Sequence, residues 1–287
     1  MRKASEPAPS SGEGIEIAGL NHRFDRPGST PLDVLQDVDL SVAAGEFVTL
    51  IGASGCGKTT LLRAISGLLR PTSGTITVSG VRRTKPGGRT SMVFQSDTLL
   101  PWRTVEENVR FGCQIQRRDI SAEAVRDLIA RVGLAGYEDR LPKELSGGMR
   151  QRVNLARALA TDPDVLLMDE PFAALDAQTR EVMQEELLAI WNKGEQKTVV
   201  FVTHQIDEAL FLGDRVIVMG VNPGRIVADV RVPYARPRSL DLKRDAGFQG
   251  MVQDLWNMIR GDVFDAVGSR SGAAADARRE RDEHEPA

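Results

Sequence analysis

A glycine-rich segment at residues 52–59, GASGCGKT, has the composition of a loop that binds phosphate. It follows the apolar run VTLI, which predicts a strand ending in the loop. The glycines let backbone N–H groups turn toward a phosphate chain, and the positive end of a following helix adds attraction. A glycine-rich turn without a ligand is the alternative. The residues expected to bind a nucleoside triphosphate here are Gly52, Ala53, Ser54, Gly55, Cys56, Gly57, Lys58, Thr59 and Thr60.

Two neighbouring carboxylates, Asp169 and Glu170, end the apolar run VLLMDE. Charge after such a strand is costly unless a cation lies nearby, and Mg²⁺ bound with a nucleotide would supply one. We expect Asp169 to contact the metal, together with Thr59, and Glu170 to act as general base toward the attacking water. A solvated strand end that turns at Pro171 is the alternative. Together the two segments indicate a P-loop NTPase.

The run LSGGMRQRVNLARAL at residues 145–159 predicts a second anion site. Ser146 can cap the helix, and Gly147 and Gly148 expose amides near its positive end. A capped helix without a ligand would explain S-G-G alone, but the whole run resembles the signature of the ABC ATPase family. The signature residues are Leu145, Ser146, Gly147, Gly148 and Met149.

The resemblance to ABC ATPases implies a homodimer with two composite ATP sites. In that family the signature of one subunit closes over the γ-phosphate held by the phosphate loop of the other. One subunit would therefore supply Lys58, Asp169 and Glu170, and its partner would supply Ser146 with the amides of the two following glycines. Catalysis would depend on closure of the pair.

Four further residues match family markers in the expected order. Gln95, after the predicted strand TSMVF, resembles the glutamine that senses Mg²⁺ and faces the membrane partner. His204, after TVVFVT, resembles the histidine that contacts the γ-phosphate and orients Glu170 and the water. Asp176 in AALD would cross the dimer interface, and Phe24 would stack on adenine unless it packs in the core. The implied catalytic residues are Glu170, His204 and Gln95, and the implied Mg²⁺ ligands are Thr59, Gln95 and Asp169.

Three longer runs are similar to the ATPases of nitrate, sulfonate and taurine importers: FQSDTLLPWRTVEENVRFG, DEPFAALDAQTREVMQEELLAIW and VTHQIDEALFLGDRVIVM. This similarity implies a membrane permease as partner and, indirectly, a periplasmic substrate-binding protein. LLPWRTV would place Leu100 and Trp102 on an exposed apolar surface suited to a permease helix. Local core packing of Trp102 is the alternative. The transported anion itself rests on family analogy alone.

The elements that must position these residues indicate an α/β fold. EFVTLIG, VLLMD and TVVFVTH read as buried strands of a parallel sheet with helices on both faces. IEIAGLNHRF, LQDVDLSV and GTITVSG alternate as antiparallel strands do, and helical periodicity dominates from Val105 to about Leu141, with Ser121 as a predicted cap. The fold class is therefore an ABC ATPase cassette of the P-loop NTPase type, with a RecA-like parallel-sheet core, an antiparallel β subdomain and a helical subdomain.

The predicted organisation places the cassette at residues 14–246, with a helical insertion at about 96–160. Residues 247–268 show helical spacing of apolar residues and are expected to form a C-terminal helical extension. Residues 1–13 and 269–287 are rich in small, charged and turn-forming residues, which predicts disordered tails.

Composition narrows the class of protein. No stretch approaches the roughly 18 apolar residues of a spanning helix, and the first residues lack the apolar core of a secretory signal. These features predict a peripheral protein at the cytoplasmic face of the membrane. A nucleic-acid repair or translation ATPase is the alternative, but the net charge of −3 argues against nucleic acid as a partner. A module that binds ATP without hydrolysis is disfavoured because both carboxylates, Gln95 and His204 are present.

Overall fold

The computed structural model describes residues 14–262, apart from 26, 29, 88, 97 and 194–196. The predicted tails, 1–13 and 269–287, and residues 263–268 of the predicted extension lie outside the described residues. In chain order the strands are β1 (Ile15–Phe24), β2 (Leu32–Val42), β3 (Phe47–Gly52), β4 (Ser73–Val78), β5 (Val81–Arg82), β6 (Thr90–Val93), β7 (Val165–Asp169), β8 (Thr198–Val202), β9 (Arg215–Gly220) and β10 (Arg225–Arg231). The helices are α1 (Lys58–Ser66), α2 (Val105–Ile115), α3 (Ala122–Arg131), α4 (Gly147–Ala160), α5 (Ala177–Lys193), α6 (Ile206–Leu212) and α7 (246–262).

The larger sheet has the strand order β10-β9-β3-β8-β7-β6. All neighbouring strands in it run parallel except β10, which is antiparallel to β9. Every residue of β3, β7 and β8 is buried, as expected for strands covered on both faces. Because the strands are parallel, the loops after β3, β6, β7 and β8 meet at one edge of the sheet. The candidate site residues that follow these strands therefore lie at that edge.

The smaller sheet is antiparallel, in the order β2-β1-β4-β5. Burial alternates along β1, so that Ile15 and Ile17 face inward while Glu16 and Ala18 face outward. The inward side packs over α1 and the β3 side of the larger sheet in one core that includes Leu61. This packing fixes the start of α1, which directly follows the glycine-rich loop.

A helical segment of α2, α3 and α4 lies between β6 and β7 in the sequence. Its helices share a core that includes Val109, Val125 and Val153. The helix starts are defined by side chains: Ser121 accepts a hydrogen bond from Ala124 N, and Thr104 forms a capping box with Glu107. The predicted parallel core, antiparallel sheet and helical segment are therefore all present.

The chain beyond β10 packs back onto the larger sheet. Phe248 and Leu255 of α7 are fully buried in its core. Asp262 accepts a hydrogen bond from the backbone N–H of Val221 and pairs with Arg225 at 2.6 Å. No helix in the part of the chain that the structure describes is long and apolar enough to cross a membrane.

Candidate functional site

The glycine-rich loop joins β3 to α1, and two of its glycines have geometries that a side chain would not tolerate. Gly57 has φ 92°, and a Cβ there would lie 2.6 Å from Leu35 Cδ2. Gly52 has φ 152°, and a Cβ there would lie 2.4 Å from the carbonyl oxygen of Met219. The loop is therefore fixed by tight packing beneath it, while Ser54 and Gly55 remain exposed above.

Lys58 is 5% exposed and its ammonium group lies within the loop. Its Nζ donates to the carbonyl oxygens of Gly52 at 2.8 Å and Ala53 at 3.1 Å, and it lies 3.6 Å from Cys56 Sγ. Burial raises the pKa of the Cys56 thiol, so this neighbour stays neutral. The ammonium is thus a buried positive charge held by neutral acceptors, which favours an anionic ligand at the loop.

Thr59 and Asp169 meet although they lie in different halves of the chain. The Thr59 hydroxyl donates to Asp169 Oδ1 at 2.9 Å, and Asp169 is 5% exposed at the end of β7. Burial raises the pKa of the Asp169 carboxyl, against the Thr59 hydrogen bond and the charges of Arg63 and Lys58. A hydroxyl and a carboxylate are hard oxygen ligands of the kind that Mg²⁺ takes beside phosphate oxygens. The residues present therefore fit that metal.

Two side chains contact Glu170: His204, as the resemblance to ABC ATPases implies, and Gln95. Gln95 Nε2 donates to Glu170 Oε2 at 3.0 Å, and His204 Nε2 lies 2.5 Å from Glu170 Oε1. Glu170 has φ 47°, a conformation uncommon for a residue with a side chain, and its backbone N–H donates to Val202 O. Gln95 lies beyond the end of β6, because that strand pairs with β7 only as far as Val93. The arrangement fixes both carboxylate oxygens at the edge where the strands end.

The signature lies at the start of α4, on the helical segment. Ser146 caps α4 by accepting from Met149 N at 3.3 Å, and both Ser146 and Gly147 are exposed. Gly148 is buried, and a Cβ there would lie 3.1 Å from Thr179 Cγ2. Within the described residues no hydrogen bond joins this segment to the glycine-rich loop. In this part of the chain, the signature segment therefore contacts its own helix rather than the glycine-rich loop.

Asp176 and Phe24 lie at the surface. The Asp176 carboxylate accepts from Thr179 N at 3.0 Å and from the Thr179 hydroxyl at 2.6 Å, so it caps α5 of its own chain. These hydrogen bonds lower the pKa of the Asp176 carboxyl. Phe24 is 42% exposed at the end of β1, and its ring meets His22 edge to face at 4.5 Å. The exposed ring leaves room for a stacked base.

Trp102 is 72% exposed, in agreement with the predicted apolar surface. Leu100, by contrast, is half-buried. Its backbone N–H donates to Asn108 Oδ1 at 2.8 Å and ties the loop to α2. The buried Asn108 amide also donates to the carbonyl oxygens of Leu100, Arg103 and Thr104. Trp102 thus lies on a loop that Asn108 of α2 holds in place.

Sequence reasoning missed two contacts to the site. Gln151, on the buried face of α4, has its amide Nε2 3.3 Å from the backbone oxygen of Gln95, and so links the signature helix to the Gln95 loop. Its polar side chain on the inward face of an amphipathic helix was the available signal. The second contact joins Thr203 and Glu208 beside His204. No local sequence pattern marks that pair.

Comparisons with known proteins identify the family of this chain. The ABC transporter family profile matches residues 35–173. An uncharacterized ABC transporter ATP-binding protein of Methanocaldococcus jannaschii is 49% identical over 88% of this chain and 94% of its own length. A taurine import ATP-binding protein of Roseobacter denitrificans is 43% identical over 91% of this chain and 99% of its own length.

A third relative is an aliphatic sulfonates import ATP-binding protein of Bacillus cereus, which is 44% identical over 78% of this chain and 89% of its own length. Among solved structures, a dimeric ATP-binding cassette in a post-hydrolysis state bound to ADP and Pi superposes with a TM-score of 0.68. It is 30% identical, and the match covers 77% of this chain and all of that one. The cassette fold expected from the sequence is confirmed.

Proposed function

Because the chain belongs to the ABC transporter family of ATP-binding proteins, we propose that it binds ATP with Mg²⁺ and hydrolyses it to drive an importer of small anions. The observation that carries the chemistry is the position of Glu170. Its carboxylate is held by Gln95 and His204 next to Asp169, which is buried and hydrogen-bonded to Thr59. A general base, a metal site and a phosphate loop are thus joined at one sheet edge.

We assign ATP binding to the glycine-rich loop. The exposed upper side of the loop offers backbone amides to the phosphates, and the three donors of the Lys58 ammonium can turn from loop carbonyls to phosphate oxygens. Phe24 would stack on the adenine. Thr59, Asp169 and Gln95 would hold Mg²⁺, which when bound neutralises charge on the phosphate oxygens.

Hydrolysis requires a base that accepts a proton from water. Glu170 takes this role because its carboxylate lies at the sheet edge and is fixed by two side chains rather than by backbone alone. His204 is 42% exposed, so its ring can reach a γ-phosphate as well as Glu170. The two contacts orient the base before the substrate arrives, which reduces the cost of reaching the reactive geometry.

Pairing of two chains completes each site. Ser146 and Gly147 are exposed at the positive end of α4, and among the described residues they form no hydrogen bond with the glycine-rich loop of their own chain. In a homodimer they would contact the γ-phosphate held by the loop of the partner, and Asp176 would lie at the interface. The resemblance to a dimeric cassette supports this arrangement.

The partner in the membrane would be a permease, supplied with its anion by a periplasmic binding protein. Relatives named for taurine and aliphatic sulfonate import support sulfonates as the substrate class. Nitrate is a second candidate, which rests on the resemblance of the sequence alone. Trp102 offers the permease an exposed apolar contact. The protein would then lie at the cytoplasmic face of the membrane, without binding nucleic acid.

The test is the substitution Glu170→Gln, which keeps the shape of the side chain and removes its basicity. We expect ATP turnover to fall by about 100-fold or more while ATP binding persists. Glu123→Gln, an exposed carboxylate in the first turn of α3, serves as the matched control and should keep full activity. Unchanged hydrolysis in the Glu170→Gln protein would show that Glu170 is not the base.

A further inference from the structure

Helix α6 begins two residues after His204 and is only 7 residues long. Its N-cap residue, Gln205, makes no side-chain capping hydrogen bond with the described residues. A helix this short has little stability of its own, so its position depends on what packs around it. The orientation of the preceding His204 loop therefore depends on the contacts of α6.

The first contact is a buried carboxylate. Glu208 lies in the first turn of α6 and is 3% exposed. It accepts a hydrogen bond from the hydroxyl of Thr203, the residue before His204, and that hydroxyl also accepts from Gln205 N at 3.0 Å. Gln184 on α5, itself fully buried, donates to the other Glu208 oxygen at 2.8 Å. Thr203 is thus bonded directly to Glu208, and Gln205 is linked to it through the Thr203 hydroxyl.

The network continues into the chain beyond β10. Lys243 donates to Gln184 Oε1 at 2.8 Å and to Asp207 Oδ2 at 3.2 Å, and its side chain is 12% exposed. Its Nζ also lies 5.3 Å from the ring centre of Phe211, on the same helix. One ammonium group thereby holds α6 directly through Asp207 and indirectly through Gln184 and Glu208.

The other end of α6 is held by the same segment. Arg238 Nη1 donates to the carbonyl oxygens of Leu210, Phe211 and Gly213 at 3.1, 2.9 and 2.8 Å. These are the acceptors that the end of a helix leaves without partners. Burial lowers the pKa of Arg238 to about 10, which still leaves the guanidinium charged at neutral pH. The segment 236–243 therefore contacts α6 at both ends.

We propose that Lys243 is a positioning residue for His204, and that the segment 236–243 sets the catalytic geometry through the chain Lys243, Gln184, Glu208 and Thr203. This inference rests on the proposed ATPase function, in which His204 orients Glu170 and contacts the γ-phosphate. Lys243 does not touch the nucleotide site itself. Its loss should loosen the His204 loop while it leaves the phosphate loop unchanged.

The experiment uses the full chain with Lys243→Met, which keeps the apolar stem over Phe211 and removes the hydrogen-bond donors. We expect kcat for ATP to fall about threefold to tenfold, the range of one or two hydrogen bonds, with KM unchanged. Lys243→Arg should restore most of the rate. Arg244→Met is the matched control, because that neighbouring side chain is 87% exposed and should change nothing.

A second measurement tests the position of the His204 ring and does not depend on ATPase activity. The sequence has three histidines, His22, His204 and His284, so ring signals of the folded protein can be resolved by NMR. We expect Lys243→Met to shift the His204 signal and to leave that of His22 unchanged. A rise in KM with unchanged kcat, or an unmoved His204 signal, would overturn the inference. Absence of hydrolysis in the wild-type chain would instead refute the proposed function, and the His204 signal would still test the positioning.

Discussion

The buried ring of His22 should make the free energy of unfolding depend on pH. It is 7% exposed, and neither ring nitrogen has a hydrogen-bond partner among the described residues. Burial lowers the pKa of His22 below its usual 6.5. The ring therefore binds a proton more readily in the unfolded chain than in the folded one. As a result, the free energy of unfolding decreases as pH falls from 6.5 toward the lower pKa of the folded state.

We expect His22→Leu to remove this part of the pH dependence and to raise the free energy of unfolding at pH 5.5 more than at pH 7.5. The physical reason is that an unpaired buried polar ring is replaced by an apolar group. Urea unfolding at the two pH values measures the difference. An equal change at both pH values would contradict the assignment to His22.

Substitution of Phe24 tests whether its exposed ring stacks on the adenine of ATP. Phe24→Ala should weaken ATP binding by about 5-fold to 150-fold, since an adenine stacked on an aromatic ring contributes about 1–3 kcal/mol. Phe24→Tyr should bind as well as the wild type. Tyr137→Ala is a matched control, because that ring has the same 42% exposure. Calorimetric titration with ATP gives the dissociation constants, and equal values for both alanine variants would exclude stacking on Phe24.

At the scale of the helices, the two serine residues that cap α3 and α4 allow an effect on stability to be distinguished from an effect on ATP hydrolysis. Ser121 and Ser146 each accept a hydrogen bond from the third residue of their helix, Ala124 at 3.1 Å and Met149 at 3.3 Å. Replacing either serine by alanine should cost about 1 kcal/mol of stability. Only Ser146→Ala should also reduce hydrolysis, because its hydroxyl would contact the phosphate of a partner chain. Thermal unfolding and ATPase assays on both variants distinguish the effects, and equal activities would remove Ser146 from the site.

The helices and strands also show what a sequence can predict. Apolar runs identified β3, β7 and β8, because strands buried on both faces leave an uninterrupted apolar pattern. Site residues at strand ends were predictable for the same reason, since parallel strands end at one edge. The contacts of Gln151 with Gln95 and of Lys243 with Gln184 join segments 56 and 59 residues apart. No local period encodes such contacts, so the structure was needed to find them.

For the whole molecule, the proposed division of each ATP site between two chains leads to a prediction about pairs of chains. In the proposed dimer, Lys58 and Glu170 would belong to the phosphate-loop half of a composite site, and Ser146 would belong to the signature half. A Lys58→Ala chain still offers an intact signature, and a Ser146→Arg chain still offers an intact loop. Each variant alone should be inactive as a homodimer, because both of its sites carry the defect.

Mixing those two inactive variants should restore hydrolysis, since a mixed dimer has one site in which the intact loop of one chain meets the intact signature of the other. A mixture of Lys58→Ala with Glu170→Gln is the control: both defects lie in the same half, so each site of a mixed dimer keeps one defect and activity should stay absent. The ATPase rate of each mixture, measured against its separate components, gives the result. Restored activity in both mixtures, or in neither, would contradict a site built from two chains, because only a composite site makes recovery depend on which halves are damaged.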